Sequence, residues 1–417
     1  YYNTKEESVT SPNVYEPNVA SVLKDTGKAT DMMIYNEQIF IADGQDGDIK
    51  VYDSNANFLK RITIKENGVE GKHANISGIF VAKYNNEEYL LVADKDGFKI
   101  LLCNLEGEVI KSFLRPDSEL MPSGVDFMPT KVMMDKDGVI YALSDGMYTG
   151  AAMFSFEGEF IGFYGANKVE ITASLLLDMF WKSLLNKAQK EHMSRYVPVE
   201  YSNFDIDEQG FIYTVTSQGT GSGTRLVEQV KKMNAKSINI IESKSYGDIE
   251  YSYDYQKLID TAFIDIAVID GAFLALDKTR GHIFLYDDDC NLLCIFSGLG
   301  NKLGLFKNPI AIDTIGDEIY VVDGDTNQIV KFTLTEYGSN LLSATRYYQN
   351  GEGEKAKELW QNILRVNSGF AVANTRMGQI QFDEGDYESA LESFKKSEDR
   401  ENYSLVFDLV RKNTINK

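Results

Sequence analysis

Cysteine and histidine are scarce in this chain of 417 residues, and their scarcity excludes several kinds of site. The three cysteines are Cys103, Cys290 and Cys294, too few for a disulfide framework. The last two stand four residues apart on an extended segment, a separation that a disulfide cannot span without a bend. The three histidines, scattered without ligand spacing, are His73, His192 and His282. We therefore expect structural cysteines and no zinc site.

Positive charge is also in short supply. Lysine and arginine number 42 against 63 aspartates and glutamates, which gives a formal net charge of −21. Such a chain lacks the basic surplus that binds phosphate, so we expect no nucleic-acid partner and no anionic lipid surface as a partner. No apolar run approaches the roughly 18–20 residues that cross a bilayer.

Catalytic motifs are missing as well. The sequence holds no cysteine–histidine signature, no G-x-S-x-G, no phosphate-binding G-x-x-x-x-G-K and no H-E-x-x-H. The chain begins at Tyr1 without a methionine or a signal peptide, which is typical of a mature or trimmed protein.

What the chain does contain is one pattern repeated six times. An apolar run that ends in Asp43 is followed by a turn and by a second apolar run, Ile49–Tyr52. The equivalent strand ends are Asp43, Asp94, Ser144, Thr216, Asp277 and Asp323. A period of roughly 45–50 residues with about four strands per unit is typical of a β-propeller blade. We predict an all-β, six-bladed β-propeller over residues 26–336.

The step between the third and fourth repeats is longer and has a different period. Within residues 166–198, apolar side chains recur at helical spacing. The apolar residues of this segment are Leu177, Phe180, Trp181, Leu184 and Leu185. We predict an inserted helix whose apolar face packs across an end of the propeller, since such side chains gain free energy by leaving water.

Residues 1–25 supply a candidate for closing the ring. The sixth repeat has three strands and then changes character at Tyr337, so it lacks an outer strand. The segment Val19–Lys24 precedes the first repeat and has no partner of its own. We predict that it pairs antiparallel with Ile329–Thr335, which would cover an open sheet edge.

Residues 337–417 have helical periodicity. Two segments align with each other at a spacing of 34 residues, the period of the tetratricopeptide repeat (TPR). The small and aromatic residues expected to pack between these helices are Ala356, Trp360, Gly378, Ala390 and Phe394. We predict a small all-α TPR domain of two units, capped by a further helix over about Glu401–Lys412.

Carboxylates on the innermost strands are candidate channel residues. The pattern places Asp205 and Asp265 at equivalent positions of successive blades, with Asp31 near the same position in the first. They could hold a divalent cation in the channel, as in a metal-dependent propeller hydrolase of the gluconolactonase type. The alternative is structural, with each carboxylate accepting backbone N–H groups of the next blade. We expect a structural role for the strand-end aspartates, which accept N–H groups of tight turns.

Loops at one end of the propeller form the candidate binding surface. These loops carry Tyr148, Arg225, Arg280 and His282, and Trp181 of the inserted helix could form a wall beside them. Tyrosine and arginine are favoured at recognition surfaces, and loops on a rigid scaffold are common binding sites. The expected partner is a protein or a glycan. The TPR groove could receive a peptide, or the helices could serve as a spacer.

Several passages resemble known families. Strands that end in V-A-D and are followed by I-x-x-Y/F strands are similar to those of NHL-repeat propellers. Other passages are similar to extracytoplasmic proteins of Gram-positive bacteria that join such a propeller to a short TPR tail and are often encoded beside carbohydrate ABC transporters. These passages are SPNVYEP, FWKSLLNKAQKEHMSRY, VPVEYSNFDIDEQGFIYTVT, ALDKTRGHIFLYD, GLGNKLGLFKNPIAID and DRENYSLVF.

The resemblance implies a location rather than a reaction. It implies a signal peptide before this chain and a transmembrane helix after it, sometimes with a Yip-type membrane domain, so that the full-length protein would be tethered at the cell surface. We therefore predict a non-enzymatic extracytoplasmic binding or scaffolding protein with no resident cofactor. The alternative is the metal-dependent hydrolase.

Overall fold

The computed structural model describes residues 1–2, 7–71, 75–165, 200–217, 228–241, 246–248, 252–254, 257–259 and 261–415. In this part of the chain, six antiparallel sheets form the blades of a β-propeller, and five helices follow them. The predicted fold class, a six-bladed propeller with a small α-helical region, is confirmed.

The first three blades each contain four strands. Blade 1 consists of β2 (Ala29–Tyr35), β3 (Gln38–Asp43), β4 (Asp48–Tyr52) and β5 (Phe58–Thr63). Blade 2 consists of β8 (Ile76–Tyr84), β9 (Glu87–Asp94), β10 (Lys99–Cys103) and β11 (Val109–Phe113). Blade 3 consists of β12 (Pro129–Met134), β13 (Ile140–Ser144), β14 (Ala151–Phe154) and β15 (Phe160–Tyr164). Between blades 1 and 2 lies a small hairpin of β6 (Lys65–Glu66) and β7 (Val69–Glu70).

The other three blades differ from one another in composition. The described part of blade 4 consists of β16 (Asn203–Ile206), β17 (Ile212–Val215) and β18 (Val230–Met233). Blade 5 consists of β21 (Phe263–Ile269), β22 (Ala272–Asp277), β23 (His282–Asp287) and β24 (Leu292–Ser297). Blade 6 consists of β25 (Pro309–Ile315), β26 (Glu318–Asp323), β27 (Gln328–Leu334) and β1 (Tyr15–Val22). A second small hairpin, β19 (Ser252–Asp254) with β20 (Lys257–Ile259), precedes blade 5.

The second strand of each blade explains why the repeat is so apolar. Strands β9, β13 and β22 are buried along their apolar runs, because a neighbouring blade packs against each face of the sheet. A strand buried on both faces is apolar at successive positions instead of alternating. Aromatic rings fill the space between blades, as where Phe113 of blade 2 meets Phe154 of blade 3 edge-on, with ring centroids 5.5 Å apart.

The N-terminal strand closes the ring. Strand β1 pairs antiparallel with β27, and Val19 lies opposite Lys331 in the register. The predicted pairing is therefore present, although the strand begins earlier than expected, at Tyr15. The Asn327 side chain reinforces the closure by donating hydrogen bonds to the carbonyl oxygens of Leu23 and Thr26, at 3.3 and 2.6 Å.

Five helices follow the last blade. They are α1 (Glu336–Gln349), α2 (Gly353–Val366), α3 (Ala371–Asp383), α4 (Tyr387–Lys396) and α5 (Arg400–Ile415). Thr335 caps α1, because its side chain accepts a hydrogen bond from the Gly338 N–H. Ala356, Trp360, Ala390 and Phe394 are all buried between helices, as expected from the sequence.

Gly378 permits the closest approach of two helices. A Cβ atom at this position would lie 2.6 Å from the Phe394 ring, so α3 and α4 can cross here only because residue 378 has no side chain. The glycine and the aromatic residue identified by the sequence spacing therefore contact each other.

The helices dock on one end of the ring. Arg346 of α1 forms an ion pair with Asp317, and Arg376 of α3 bonds Asp287 and Asp289 at 3.0 and 2.6 Å. Asp317 lies in the turn between the first and second strands of blade 6, and Asp287 and Asp289 lie at the end of the third strand of blade 5 and in the turn after it. We call this end of the propeller the helix face. The opposite end, with the turns between second and third strands and the connections between blades, is the loop face.

The predictions for the outer strand of blade 4 and for the inserted helix are not confirmed as full elements. The outer strand expected in blade 4 is represented, among the described residues, by an isolated bridge between Met233 and Asn239. The inserted helix of residues 166–198, including Trp181, lies outside the described residues. None of the described helices has the length and apolarity that a membrane crossing requires.

Candidate functional site

Two tiers of residues from the innermost strands surround the channel of the propeller. In five blades the register shifts by one residue near the start of this strand, a β-bulge that fixes which side chain comes next. The upper tier is Asp31, Gly78, Lys131, Asn203, Asp265 and Ala311, each opposite the residue before a strand end. The lower tier, two residues further along, is Met33, Phe80, Met133, Asp205, Ala267 and Asp313.

This register corrects one prediction. Asp205 is not equivalent to Asp265, because Asn203 occupies that position in blade 4 and Asp205 lies one tier lower, level with Asp313. The turn between the first two strands differs in length, since five residues separate Ile206 from its partner Ile212 in blade 4 and two separate Ile269 from Ala272 in blade 5. Sequence reasoning also missed Lys131, Asn203 and Asp313 as channel residues.

Each channel carboxylate links its blade to the next. Asp31 accepts the Ile79 N–H at 2.9 Å, and Asp205 accepts the Val268 N–H at 2.7 Å. In the same way Asp265 accepts the Ile312 N–H at 2.7 Å, and Asp313 accepts the Ile34 N–H at 2.6 Å. These bonds are the structural role that the sequence allowed as an alternative. They give the carboxylates a role in ring assembly.

Side chains of the upper tier also contact one another. Lys131 of blade 3 forms a buried ion pair with Asp31 of blade 1, and Asn203 donates to Asp265. Burial lowers the pKa of Lys131, but the charges of Asp31 and Asp265 outweigh it, so the pKa of Lys131 is raised. The lysine therefore keeps its charge and neutralises part of the channel.

Burial raises the pKa of the remaining carboxyls. The pKa of Asp265 rises to about 7 and that of Asp205 to about 6, in both cases chiefly because desolvation penalises the charged form. The pKa of Asp313 is raised well above its usual value for the same reason, with a further contribution from Asp205. The raised pKa values of these three carboxyls lessen the negative charge buried near Lys131.

If the protein were a metal-dependent hydrolase, its channel would have to hold a divalent cation. Among the described residues, the channel carboxylates do not appear in a His, Cys, Asp and Glu cluster tight enough to share one ion. Metal analysis of the purified protein tests this alternative, and one stoichiometric divalent ion per chain would favour it.

The strand-end aspartates have the structural role predicted for them. Asp43 accepts N–H groups of Gly27 and Lys28, at 2.7 and 3.1 Å, and of the turn that follows it. Asp277 accepts the N–H groups of Ala262, Thr279 and Arg280. Each such carboxylate ties the connection entering a blade to the turn after its second strand.

A second concave site lies on the flank of blades 5 and 6, and we call it the flank cleft. It has a volume of about 650 Å³ and lies between the N-terminal segment, residues 8–15, and the outer strand β24. Arg280 and His282 line it, together with Asp248, Tyr2 and Tyr15. Two residues predicted for binding are thus brought together in one cleft.

Asp248 organises the polar end of the flank cleft. Its carboxylate accepts a hydrogen bond from Arg280 Nη1 at 2.9 Å and from the Tyr2 hydroxyl at 3.1 Å, and His282 Nδ1 lies 3.1 Å away. Burial pushes the pKa of Asp248 upward, but the hydrogen bond and charge of His282, with the charge of Arg280, outweigh it and leave the pKa below its usual value. Asp248 is therefore an anion that holds Arg280 and His282 in place.

Two of these residues, Asp248 and His282, also form a candidate cation cluster with Asp277. Asp248, Asp277 and His282 each bring one ligand atom within 4.8 Å of the others. The guanidinium of Arg280, however, already lies against Asp248, and a metal ion there would face a fixed positive charge. The arrangement is better suited to hydrogen bonding with a polar ligand than to metal coordination.

The aromatic wall of the flank cleft comes from Tyr15 and Phe296. Their rings stack with centroids 5.1 Å apart. The Tyr15 hydroxyl is buried and has no hydrogen-bond partner among the described residues. A buried polar group without a partner costs free energy, so a ligand hydroxyl that reached it would be favoured.

The other predicted binding residues are not in the flank cleft. Tyr148 is exposed on the loop face of blade 3, where the charge of Glu200 raises the pKa of its hydroxyl. Arg225 and Trp181 lie outside the described residues. The predicted single binding surface is therefore divided, with Arg280 and His282 on one side of the ring and Tyr148 on another.

Sequence reasoning missed Asp248, Tyr2 and Tyr15 as parts of this site. Tyr2 and Tyr15 belong to the N-terminal segment, and Asp248 lies in the connection before blade 5. Tyr2 reaches Asp248 from 246 residues away in the sequence, and Asp248 reaches Arg280 from the connection before blade 5. No local sequence pattern signals such a contact.

No family model matches the chain, and no curated protein matches it. Among solved structures, the virginiamycin B lyase from Staphylococcus aureus is 9% identical and covers 77% of this chain and 100% of its own, with a TM-score of 0.47. A streptogramin B lyase is 9% identical over 73% of this chain and 78% of its own, with a TM-score of 0.42. The extracellular domain of a hybrid two-component system from B. thetaiotaomicron is 13% identical over 73% of this chain, with a TM-score of 0.41. This chain spans 34% of the length of that domain. Such values do not transfer a function.

Proposed function

We propose that this protein is a non-enzymatic, extracytoplasmic binding and scaffolding protein whose flank cleft receives a glycan. In this proposal the propeller is of the NHL type and the helices are a pair of TPR units with a capping helix. The observation that carries the proposal is the flank cleft itself, with Asp248, Arg280 and His282 held at one end and an aromatic wall beside them.

The charges of the flank cleft favour a neutral, hydroxyl-rich ligand. Arg280 is paired with ionised Asp248, so the pair is close to neutral and offers both donors and acceptors. A strongly anionic ligand would compete with Asp248 for Arg280. Sugar hydroxyls can donate to the carboxylate and accept from the guanidinium without breaking the pair.

The sites of contact are accessible. The side chains of Arg280 and His282 keep 19% and 27% of their surface exposed, while that of Asp248 is only 6% exposed. A ligand would therefore touch Arg280 and His282 first, and Asp248 would act mainly by positioning them.

A screen on a glycan array, followed by calorimetry with the best oligosaccharide, tests the proposal. We expect Arg280→Gln to weaken binding by about tenfold or more, since it removes a charged donor and leaves Asp248 without its ion-pair partner. Arg115→Gln, at an exposed arginine of the loop face between blades 2 and 3, is the control and should bind like the parent protein. Absence of glycan binding, or equal binding by the Arg280 variant, would contradict the proposal.

The helical region supports a second role, in protein binding. A groove of about 630 Å³ lies between α1, α2 and α3, with Tyr348 and Ile380 in it and acidic Glu354, Asp383 and Asp289 around it. Its position between paired helices suits an extended peptide. Titration with a labelled lysine-rich peptide tests this role, and Glu354→Gln with Asp383→Asn should weaken the binding if the groove is the site.

A further inference from the structure

Five exposed apolar side chains lie on the loop face of the first three blades. Val69, Leu114 and Leu120 keep 69%, 63% and 62% of their surface exposed, and Phe98 and Tyr148 are exposed there as well. Large apolar side chains grouped on one surface mark interaction sites more often than isolated ones do. None of these five residues lies in the flank cleft or in the helical groove.

Strand register and ion pairs place these five residues on neighbouring loops. Ile100 lies opposite Phe113, so Phe98 and Leu114 extend from the same end of blade 2. Lys99 forms an ion pair with Glu66, which lies opposite Val69 in its hairpin.

Two further contacts extend this surface toward blade 3. Lys95 bonds Asp145 at 2.7 Å and so joins the blade 2 loop to the loop that carries Tyr148. Arg115 donates to the carbonyl oxygens of Val125 and Pro122, at 3.1 and 2.9 Å, and folds the connection that contains Leu120. We call this surface the apolar loop patch.

The border of the apolar loop patch is acidic. The exposed carboxylates on the same loops are Glu70, Asp96, Asp117, Glu119 and Asp126. The cations described on these loops are already engaged, since Lys95 and Lys99 are in ion pairs and Arg115 bonds backbone carbonyls. The patch therefore presents apolar side chains inside a border of negative charge.

We propose that the apolar loop patch docks a protein partner whose contact surface has an apolar centre surrounded by lysine and arginine. The proposal rests on the scaffolding role proposed above and adds a site on a different part of the ring. Oppositely charged borders speed the encounter and fix its orientation, while the buried apolar centre supplies affinity. A second copy of this chain, with its net charge of −21, and an anionic lipid surface would both be repelled.

A model ligand with the proposed chemistry provides the test. We use a fluorescent amphipathic helical peptide of leucine and lysine, and the same peptide with glutamate in place of lysine. We expect the full chain to bind the lysine peptide and not the glutamate peptide, and this binding should persist in the Glu354→Gln, Asp383→Asn variant of the helical groove. Leu114→Ser combined with Leu120→Ser should weaken binding of the lysine peptide by about tenfold or more.

Matched control variants come from the outer strands of the same blades. Ile110→Ser combined with Ile161→Ser changes two residues that are 53% and 51% exposed but lie on strands instead of loops. Both double variants should melt at the temperature of the parent protein, and the control should bind the lysine peptide normally. An equal loss in both variants, or no loss in the loop variant, would overturn the proposal.

Two further measurements test whether a membrane or a second copy of the chain, instead of a basic protein partner, occupies the apolar loop patch. Binding to anionic vesicles, or concentration-dependent self-association, that disappears in the Leu114 and Leu120 variant would assign the patch to a membrane or to a second copy and overturn the proposal. Glycan binding by the flank cleft should be unchanged in that variant. A failure of the patch and a failure of the flank cleft are therefore distinguished in the same set of proteins.

Discussion

The propeller and the helical region are held together by contacts of very different range. In the propeller, strand β1 pairs with β27, so that Val19 meets Lys331 from the other end of the ring. In the helical region, partners such as Gly378 and Phe394 are close in sequence. Helices stacked on their neighbours in sequence gain stability from those neighbours, whereas a closed ring depends on every blade. The ring should therefore unfold as a unit, and the helices should be able to unfold locally.

Removal of the closing strand should have the largest effect. Deletion of residues 1–24 leaves β27 with an open edge and removes the buried Tyr15 and Leu23. We expect the whole propeller to melt in one transition at a temperature lower by about 10 °C or more, because each kcal/mol lost moves the midpoint of a large domain by about 2–4 °C. Differential scanning calorimetry measures this.

Truncation at the other terminus is the matched control for that deletion. A chain that ends before Arg400 loses α5. The Val406 side chain of this helix packs against Ala390 and Phe394 of α4. It should leave the propeller transition in place. If both truncations lower that transition equally, the contrast between ring and helices is wrong.

Trp360→Ala should have the next largest effect, confined to the helices. Trp360 is among the largest fully buried side chains, and its removal should cost about 3–5 kcal/mol through lost burial and a cavity. Helical circular dichroism should be lost at a lower temperature while the aromatic signal of the propeller melts as before. A single transition shifted for both signals would mean that the two regions unfold together.

The channel carboxyls should make the ring less stable as the pH rises. The pKa of Asp265 is about 7 in the folded protein, against 3.8 for an unperturbed carboxyl. Between these values the folded state binds more protons than the unfolded state, so the free energy of unfolding falls from about pH 4 to about pH 7 and levels off above it.

Asp265→Asn isolates this contribution, because its amide does not titrate. Between pH 5 and pH 8 the variant should lose less stability than the parent protein by roughly 1–3 kcal/mol. Urea unfolding at the two pH values gives the difference. Parallel pH dependences in the two proteins would show that Asp265 does not titrate in this range.

Removal of one contact between blades should have the smallest effect. The Ser77 hydroxyl of blade 2 donates to the Pro129 carbonyl of blade 3 at 2.8 Å. Ser77→Ala should cost about 0.5–1.5 kcal/mol, the usual net value of one hydrogen bond, and should shift the single propeller transition without splitting it. A separate transition for blade 2 would show that the ring is less cooperative than its closure implies.

Local patterns predicted the elements but not the channel. The run that ends in Asp43 and its five repeats identified the blades, because a strand buried between two sheets must be apolar at successive positions. The same patterns misplaced Asp205 relative to Asp265. The turn between the first two strands has five residues in blade 4 and two in blade 5, and the hydrophobic pattern does not show where a turn ends, so the order of channel residues required the register itself.

The sequence by itself determined the number of blades, the start of the helices and the need for a strand to close the sixth blade. Each of these follows from periodicity or from an unsatisfied strand edge, which are properties of short segments. Only the tertiary structure decided that Asp248 holds Arg280 and His282, and that Lys131 meets Asp31 across the channel. These contacts join residues from different blades and connections. Their distances depend on how blades and connections pack against one another, which no short segment of the sequence specifies.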